Sequence, residues 1–119
     1  SDPAAWLSTG GAWRRLGRID RALECGERAA RLDPLSPSGW IFKGDVHFQS
    51  GKKMRAIEAY TEALRLAPEE VSLRMKRGRL YHDLKFFDLA AGDFQEGVQL
   101  QPGHRDATRL LKKMKTVTR

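Results

Sequence analysis

The stretches "RLDP" at 31–34, "RLAP" at 65–68 and "QLQP" at 99–102 end three segments of one chain at intervals of 34 residues. A strict period of this length constrains the fold more than any other feature. A unit of that size holds one supersecondary pair, which cannot bury its apolar face alone and must stack on the next. Laying residues 3–36, 37–70 and 71–104 over one another aligns Pro34, Pro68 and Pro102, then Ala22, Ala56 and Ala90, then Gly10, Gly44 and Gly78, without a gap. The starts agree as well, since "DPAAW" at 2–6 answers "SPSGW" at 36–40. In both, Asp or Ser suits the helix N-cap, and the following Pro suits the first helical position, where its missing N–H costs nothing.

Each unit reads as two helices. Small residues in the first helix allow close approach, and bulky ones lie about a turn away: Trp6, Gly10 and Trp13, then Trp40 and Gly44, then Gly78 and Tyr81. Glycine inside a helix costs about 0.5–1 kcal/mol relative to alanine, so three at equivalent places imply a packing reason. Gly17 and Gly51 mark the turn to the second helix. That helix carries Ala22, Leu23, Ala29 and Leu32 in the first unit. Ala56, Ile57, Tyr60, Ala63, Leu64 and Leu66 follow in the second, and Leu89, Ala90, Phe94, Val98 and Leu100 in the third. Steps of three and four give one apolar face. A proline after each second helix then turns the chain back.

At these residues the chain resembles the tetratricopeptide repeat family, whose pattern is W-x2-L-G-x2-Y, later A-x3-F, later P. The second unit follows it most closely, with Trp40, Gly44, Ala56, Tyr60 and Pro68 in register, Lys43 in place of Leu and His47 in place of Tyr. The first has Trp6, Gly10, Trp13, Ala22 and Pro34, but Gly26 replaces the aromatic of the second helix, so thinner packing is expected there. The third has Gly78, Tyr81, Ala90, Phe94 and Pro102, with Arg74 in place of Trp and Gly97 in place of a usual Ala. The resemblance implies an all-α fold, a right-handed α-solenoid of three helix-turn-helix units at 3–36, 37–70 and 71–104 within one structural domain. Residues 105–119 then read as a capping helix. Ala107, Leu110, Leu111, Met114 and Val117 form its apolar stripe, Arg109, Lys112, Lys113 and Lys115 lie on other faces, and Asp106 sits near the N-terminus, where the helix dipole favours it. Lys112 occupies the place of the close-contact glycine, which disfavours a fourth repeat.

Bulk properties narrow the setting. The chain has 119 residues, 40% of them apolar, enough for a packed core. No run approaches the roughly 18 consecutive apolar residues of a spanning helix. "SDPAAWL" at the start has neither the basic flank nor the apolar stretch of a secretory signal. Cys25 is the single cysteine and there is no Asn, so an internal disulfide and N-glycosylation are both excluded. A reducing compartment fits, and an intracellular, cytoplasmic setting is expected. The first residue is Ser rather than Met, and the expectation is a piece of a longer protein. Charge is uneven: 6 basic against 5 acidic residues in 1–36, 5 against 5 in 37–70, and 11 against 5 in 71–119. The positive field lies at the C-terminal end and favours acidic partners.

Catalytic constellations are not found. His47, His82 and His104 are scattered, none belongs to an H-E-x-x-H pair, and one Cys cannot build a Cys-rich zinc site. "GDVHFQSGKK" at 44–53 fails as a phosphate loop, because six residues separate Gly44 from Gly51 and no Ser or Thr follows Lys52. Cys25 sits between apolar neighbours, the setting of an inert thiol. His82 and Asp83 are adjacent in sequence and point apart on a helix. The chain reads as a non-catalytic protein without cofactor or metal.

The resemblance implies that the first helices line a concave groove for an extended peptide or a partner helix. Its positions fall on Leu7, Gly11 and Arg14 in the first unit and on Phe42, Asp45, Phe48 and Gln49 in the second. The third gives Met75, Lys76, Arg79 and His82, with Arg109 and Lys113 on the capping helix. One reading is a protein-interaction scaffold or adaptor that binds an acidic or phosphorylated segment with an apolar anchor, Phe42 and Phe48 supplying area and the cations holding carboxylates or a phosphate. The other is that the Phe residues pack between repeats and the cations are solvated. Chaperone-binding members grip a terminal carboxylate with a clamp of Asn and basic residues. The matching places here hold Leu7, Gly11, Phe42, Ser72 and Lys76, so only Lys76 fits that chemistry. A further alternative is nucleic-acid binding through "LRMKRGRLYHDL" and "RLLKKMK", where cations interleave with Tyr81.

Overall fold

The computed structural model describes residues 2–117, and the side chains as far as Met114. Those residues form seven α-helices and no strand: α1 (Pro3–Arg15), α2 (Ile19–Leu32), α3 (Ser38–Gln49), α4 (Lys53–Leu66), α5 (Val71–Asp83), α6 (Phe87–Leu100) and α7 (Arg105–Val117). Two compact units result, Ser1–Pro68 with α1 to α4 and Glu69–Arg119 with α5 to α7.

The period is written into the backbone. Ala4 N donates to Asp2 Oδ1 at 3.0 Å, the N-cap bond of α1, and 34 residues on Ser38 N donates to Ser36 Oγ at 3.2 Å, although the N-cap of α3 is Pro37 and Ser36 stands one residue ahead of it. At the hairpin turns Gly17 and Gly51 have φ of 77° and 79°, and the third turn puts Lys85 in the same left-handed conformation at φ 67°. Each turn closes with the same pair of backbone bonds. Gly17, Gly51 and Lys85 N donate to the carbonyls of Arg14, Phe48 and His82, while the next residue's N reaches back to Trp13, His47 and Tyr81. Lys85 thus holds a conformation that favours glycine. α7 is capped by His104, whose Nδ1 accepts from Ala107 N at 3.1 Å.

In the first unit a Cβ on Gly44 would lie 2.5–2.6 Å from the ring carbons of Tyr60, so the α3–α4 approach leaves no room for a side chain there. Gly10 meets no aromatic from its own second helix, since that place is Gly26. The ring of Phe42, on α3, closes over both glycines: a Cβ would lie 2.9 Å from its Cζ at Gly10 and 3.1 Å from its Cδ2 at Gly26. The thinner packing expected at Gly26 is therefore filled from the following repeat.

In the second unit Phe94 lies against Gly78, and Val71, Met75, Ala90, Phe94, Ala107 and Met114 form one buried cluster. Leu110 and Leu111 pack on its edge, so α7 covers the α5–α6 pair. Val117 and Lys115, also assigned to faces of this helix, have side chains outside the described residues. Arg74, where the motif has Trp, makes a polar counterpart to that core. Asp93 on α6, 4% exposed, accepts from Arg77 Nε at 2.9 Å and Nη2 at 2.6 Å, and Arg74 Nη1 lies 3.8 Å away. The bidentate pair suits a fork-shaped guanidinium and offsets the desolvation of the carboxylate.

Candidate functional site

Within the first unit, the α1 and α3 faces hold seven of the expected groove residues. Leu7, Gly11 and Arg14 are half-buried on α1. Arg14 Nε donates to Gln49 Oε1 at 2.5 Å, tying α1 to α3. Asp45 accepts from the hydroxyl of buried Tyr60 at 2.5 Å, and burial together with that carboxylate pushes the phenol well above its ordinary value. Asp45 is therefore committed partly to holding α4. The two Phe residues separate. Phe42 packs on Gly10 and Gly26, whereas Phe48 is 54% exposed and presents its ring to solvent.

Within the second unit, Met75 is 3% exposed in the core, its Cε beside Gly97. It is not a contact residue, contrary to the sequence expectation. Gly97 explains the shift: without a Cβ it leaves a hole on α6 that the flexible Met75 side chain fills. Lys76 and Lys113 are exposed, and His82 is half-buried edge-on to Phe87 at 5.3 Å. Asp106 links the two helices, with Arg109 Nη2 at 3.1 Å and Arg79 Nη2 at 3.8 Å. Lys76, Arg79 and Asp83 recur at helical spacing along α5, as Asp106, Arg109 and Lys113 do along α7. Four cations thus stand against two carboxylates.

Arg74 and Arg77 belong to the basic segment "LRMKRGRLYHDL", yet both are 17% exposed at the side chain and turned onto Asp93. The hydrogen bond to Asp93 raises the Arg77 guanidinium's affinity for its proton against the opposing effect of burial, and the charges of Asp93 and Tyr81 add to the rise. These two cations are not presented to an outside polyanion. Burial pushes the Cys25 thiol up, with Glu24 adding to the effect, so it is a poor nucleophile. Among the described residues no group of three or more His, Cys, Asp and Glu could hold a metal ion, and no helix is long and apolar enough to cross a membrane.

A cleft that sequence reading did not assign opens between α3 and α4, with a volume of about 520 Å³. Trp40, Lys43 and His47 line one side, and Arg55, Glu58 and Ala59 the other. Its only signal in the sequence was the pair of motif departures at Lys43 and His47. On α3 these residues lie on the helix side away from Asp45 and Phe48.

A family model described as tetratricopeptide repeat matches residues 1–37 and 43–105. The chain belongs to the tetratricopeptide repeat family. This is a family of non-enzymatic scaffolds for protein interaction, and the all-α helical-repeat fold agrees with it. Among solved structures, the chain is similar to the first TPR of Spaghetti (RPAP3) bound to the HSP90 peptide SRMEEVD. The TM-score is 0.84 at 20% identity, covering 98% of this chain and 93% of that one. It is also similar to the Arabidopsis OM64 TPR domain, with a TM-score of 0.81, 17% identity and coverage of 97% and 95%. For the second TPR domain of human RPAP3 in complex with the HSP70 peptide SGPTIEEVD, the values are 0.79, 23%, and 95% and 98%. No curated protein sequence matches the chain.

Proposed function

We propose that this tetratricopeptide repeat chain is an adaptor that captures an acidic or phosphorylated segment of another protein through the basic side chains of α5 and α7. One observation carries the reading: Asp106 is shared between Arg79 and Arg109, with Lys76 and Lys113 exposed on the same two helices. With four cations against two carboxylates, and five N–H donors on each guanidinium, Arg79 and Arg109 can offer an incoming carboxylate or phosphate charge-assisted hydrogen bonds beside Asp106. Phe48 provides apolar contact area on the first unit, a role Phe42 cannot share because its ring is spent on packing. Relatives of this fold hold HSP90 and HSP70 peptides ending in EEVD. The clamp places here are Leu7, Gly11, Phe42, Ser72 and Lys76, which lack the amide donors of that grip. The partner is thus of the same acidic class but is not the chaperone tail.

The test is affinity capture with the native chain and with the Lys76→Glu, Arg79→Glu double variant, helicity being checked by circular dichroism. The double variant keeps its helices and loses the captured partner. Equal recovery of the same partner by both chains would move the binding surface elsewhere.

A further inference from the structure

The 34-residue register pairs Trp40 with Arg74, Lys43 with Arg77 and Ala59 with Asp93. In the third repeat these positions form a closed ion cluster, with the Asp93 carboxylate held 2.6–2.9 Å from Arg77 and 3.8 Å from Arg74. In the second repeat the same three positions line the open cleft of about 520 Å³. The methyl of Ala59 is too small to fill it, and that residue, 4% exposed, is part of the cleft lining. We propose that this cleft takes the acidic side chain of a partner protein, its carboxylate beside Lys43 as that of Asp93 lies beside Arg77, and its methylenes on Trp40. The site is separate from the groove reading and does not depend on it.

The charges and shape around the cleft suit that occupant. The Lys43 side chain is only 15% exposed, with its ammonium 4.4 Å from the Trp40 ring centroid, so it is held in place and partly desolvated. A carboxylate arriving there meets a cation in a low-dielectric wall, where the attraction is stronger than in bulk water. Lys43 already pairs with Glu27 at 3.3 Å, but an ammonium has three donors, and Glu27 is half-exposed with Arg31 3.6 Å away. Glu62, at the rim, is paired with Arg65 at 3.0 Å. Arg55 and Glu58 remain, and they offset one another. Lys43 is therefore the charge that decides what the cleft prefers.

Propionate, a stand-in for a glutamate side chain, is titrated into the 119-residue chain while the indole N–H resonance of Trp40 is followed by NMR. Butylammonium serves as the cationic control. The expected result is a saturable shift with propionate at roughly 10–100 mM, as befits a fragment of so few atoms. It is lost in Ala59→Asp, where an internal carboxylate fills the place, and in Lys43→Met, which keeps the packing but removes the charge. No saturable shift with propionate, an equal response to butylammonium, or a response unchanged in a folded Lys43→Met chain would each overturn the proposal.

Discussion

The ring of Phe42, on α3, lies where a side chain on Gly26, on α2, would stand. One aromatic of the second repeat thus packs on both helices of the first, since the same ring closes over Gly10 on α1. Cutting it back removes contacts that α1 and α2 cannot make between themselves. Phe42→Ala is expected to destabilise the chain by about 3 kcal/mol, the lower end for loss of a packed Phe. Phe48→Ala, at an exposed ring, should change stability by less than about 0.5 kcal/mol. Urea unfolding of both variants checks the contrast, and similar losses would contradict it.

Lys85 occupies the turn position that Gly17 and Gly51 fill in the other repeats, at φ 67°. A side chain in the left-handed region costs about 1–2 kcal/mol, part of which glycine returns through greater freedom in the unfolded chain. Lys85→Gly should therefore stabilise the chain by about 0.5–1 kcal/mol, read as a raised denaturation midpoint.

Burial holds His47 below the ordinary imidazole value of 6.5, and Lys43, Arg55 and Lys52 lower it further against a smaller opposing pull from Glu58. Its Nδ1 is buried without a hydrogen-bond partner. Because the folded value is depressed, the unfolded chain binds the proton first as pH falls. The associated stability is complete above pH 6.5, declines as pH drops toward the folded value and levels off below it. His47→Tyr, which copies Tyr81 of the third repeat, should flatten this part of a stability–pH curve. A variant curve that keeps the same slope in that window would refute the assignment.

The clamp positions bear on chaperone tails directly. A peptide ending in EEVD needs donors at both carboxylates of its last residue, and Leu7, Gly11 and Phe42 offer no polar side chain. Isothermal titration should give no affinity in the low-micromolar range.

Much of the fold was legible because the repeat imposes the same demands three times. The prolines that end the repeats, the Asp2 cap of α1 and Gly10, Gly44 and Gly78 read correctly from spacing, while α3 starts one residue later than its match to α1 implied, with Pro37 as its N-cap. Of the hairpin turns, two announced themselves through Gly17 and Gly51, while Lys85 concealed the third because its conformation is set by neighbours rather than by its own preference. The site was less legible. Spacing gave a helix face to Met75, but the hole at Gly97 decided where its side chain went. Phe42 and Phe48 looked alike in sequence and parted only because Gly26, sixteen residues before Phe42, left a space to fill. Arg74 and Arg77 belong to a basic segment in sequence, and only the fold brings Asp93 of α6 beside them.

The proposed function requires that the basic surface of α5 and α7 be where an acidic segment is held. Amide resonances of the ¹⁵N-labelled chain, followed while the captured partner's acidic segment is added, address this directly. The expected shifts fall at Lys76, Arg79, Arg109 and Lys113, and weaken as salt is raised. Saturable shifts confined to α2, α4 and α6, with those four resonances unmoved, would contradict it.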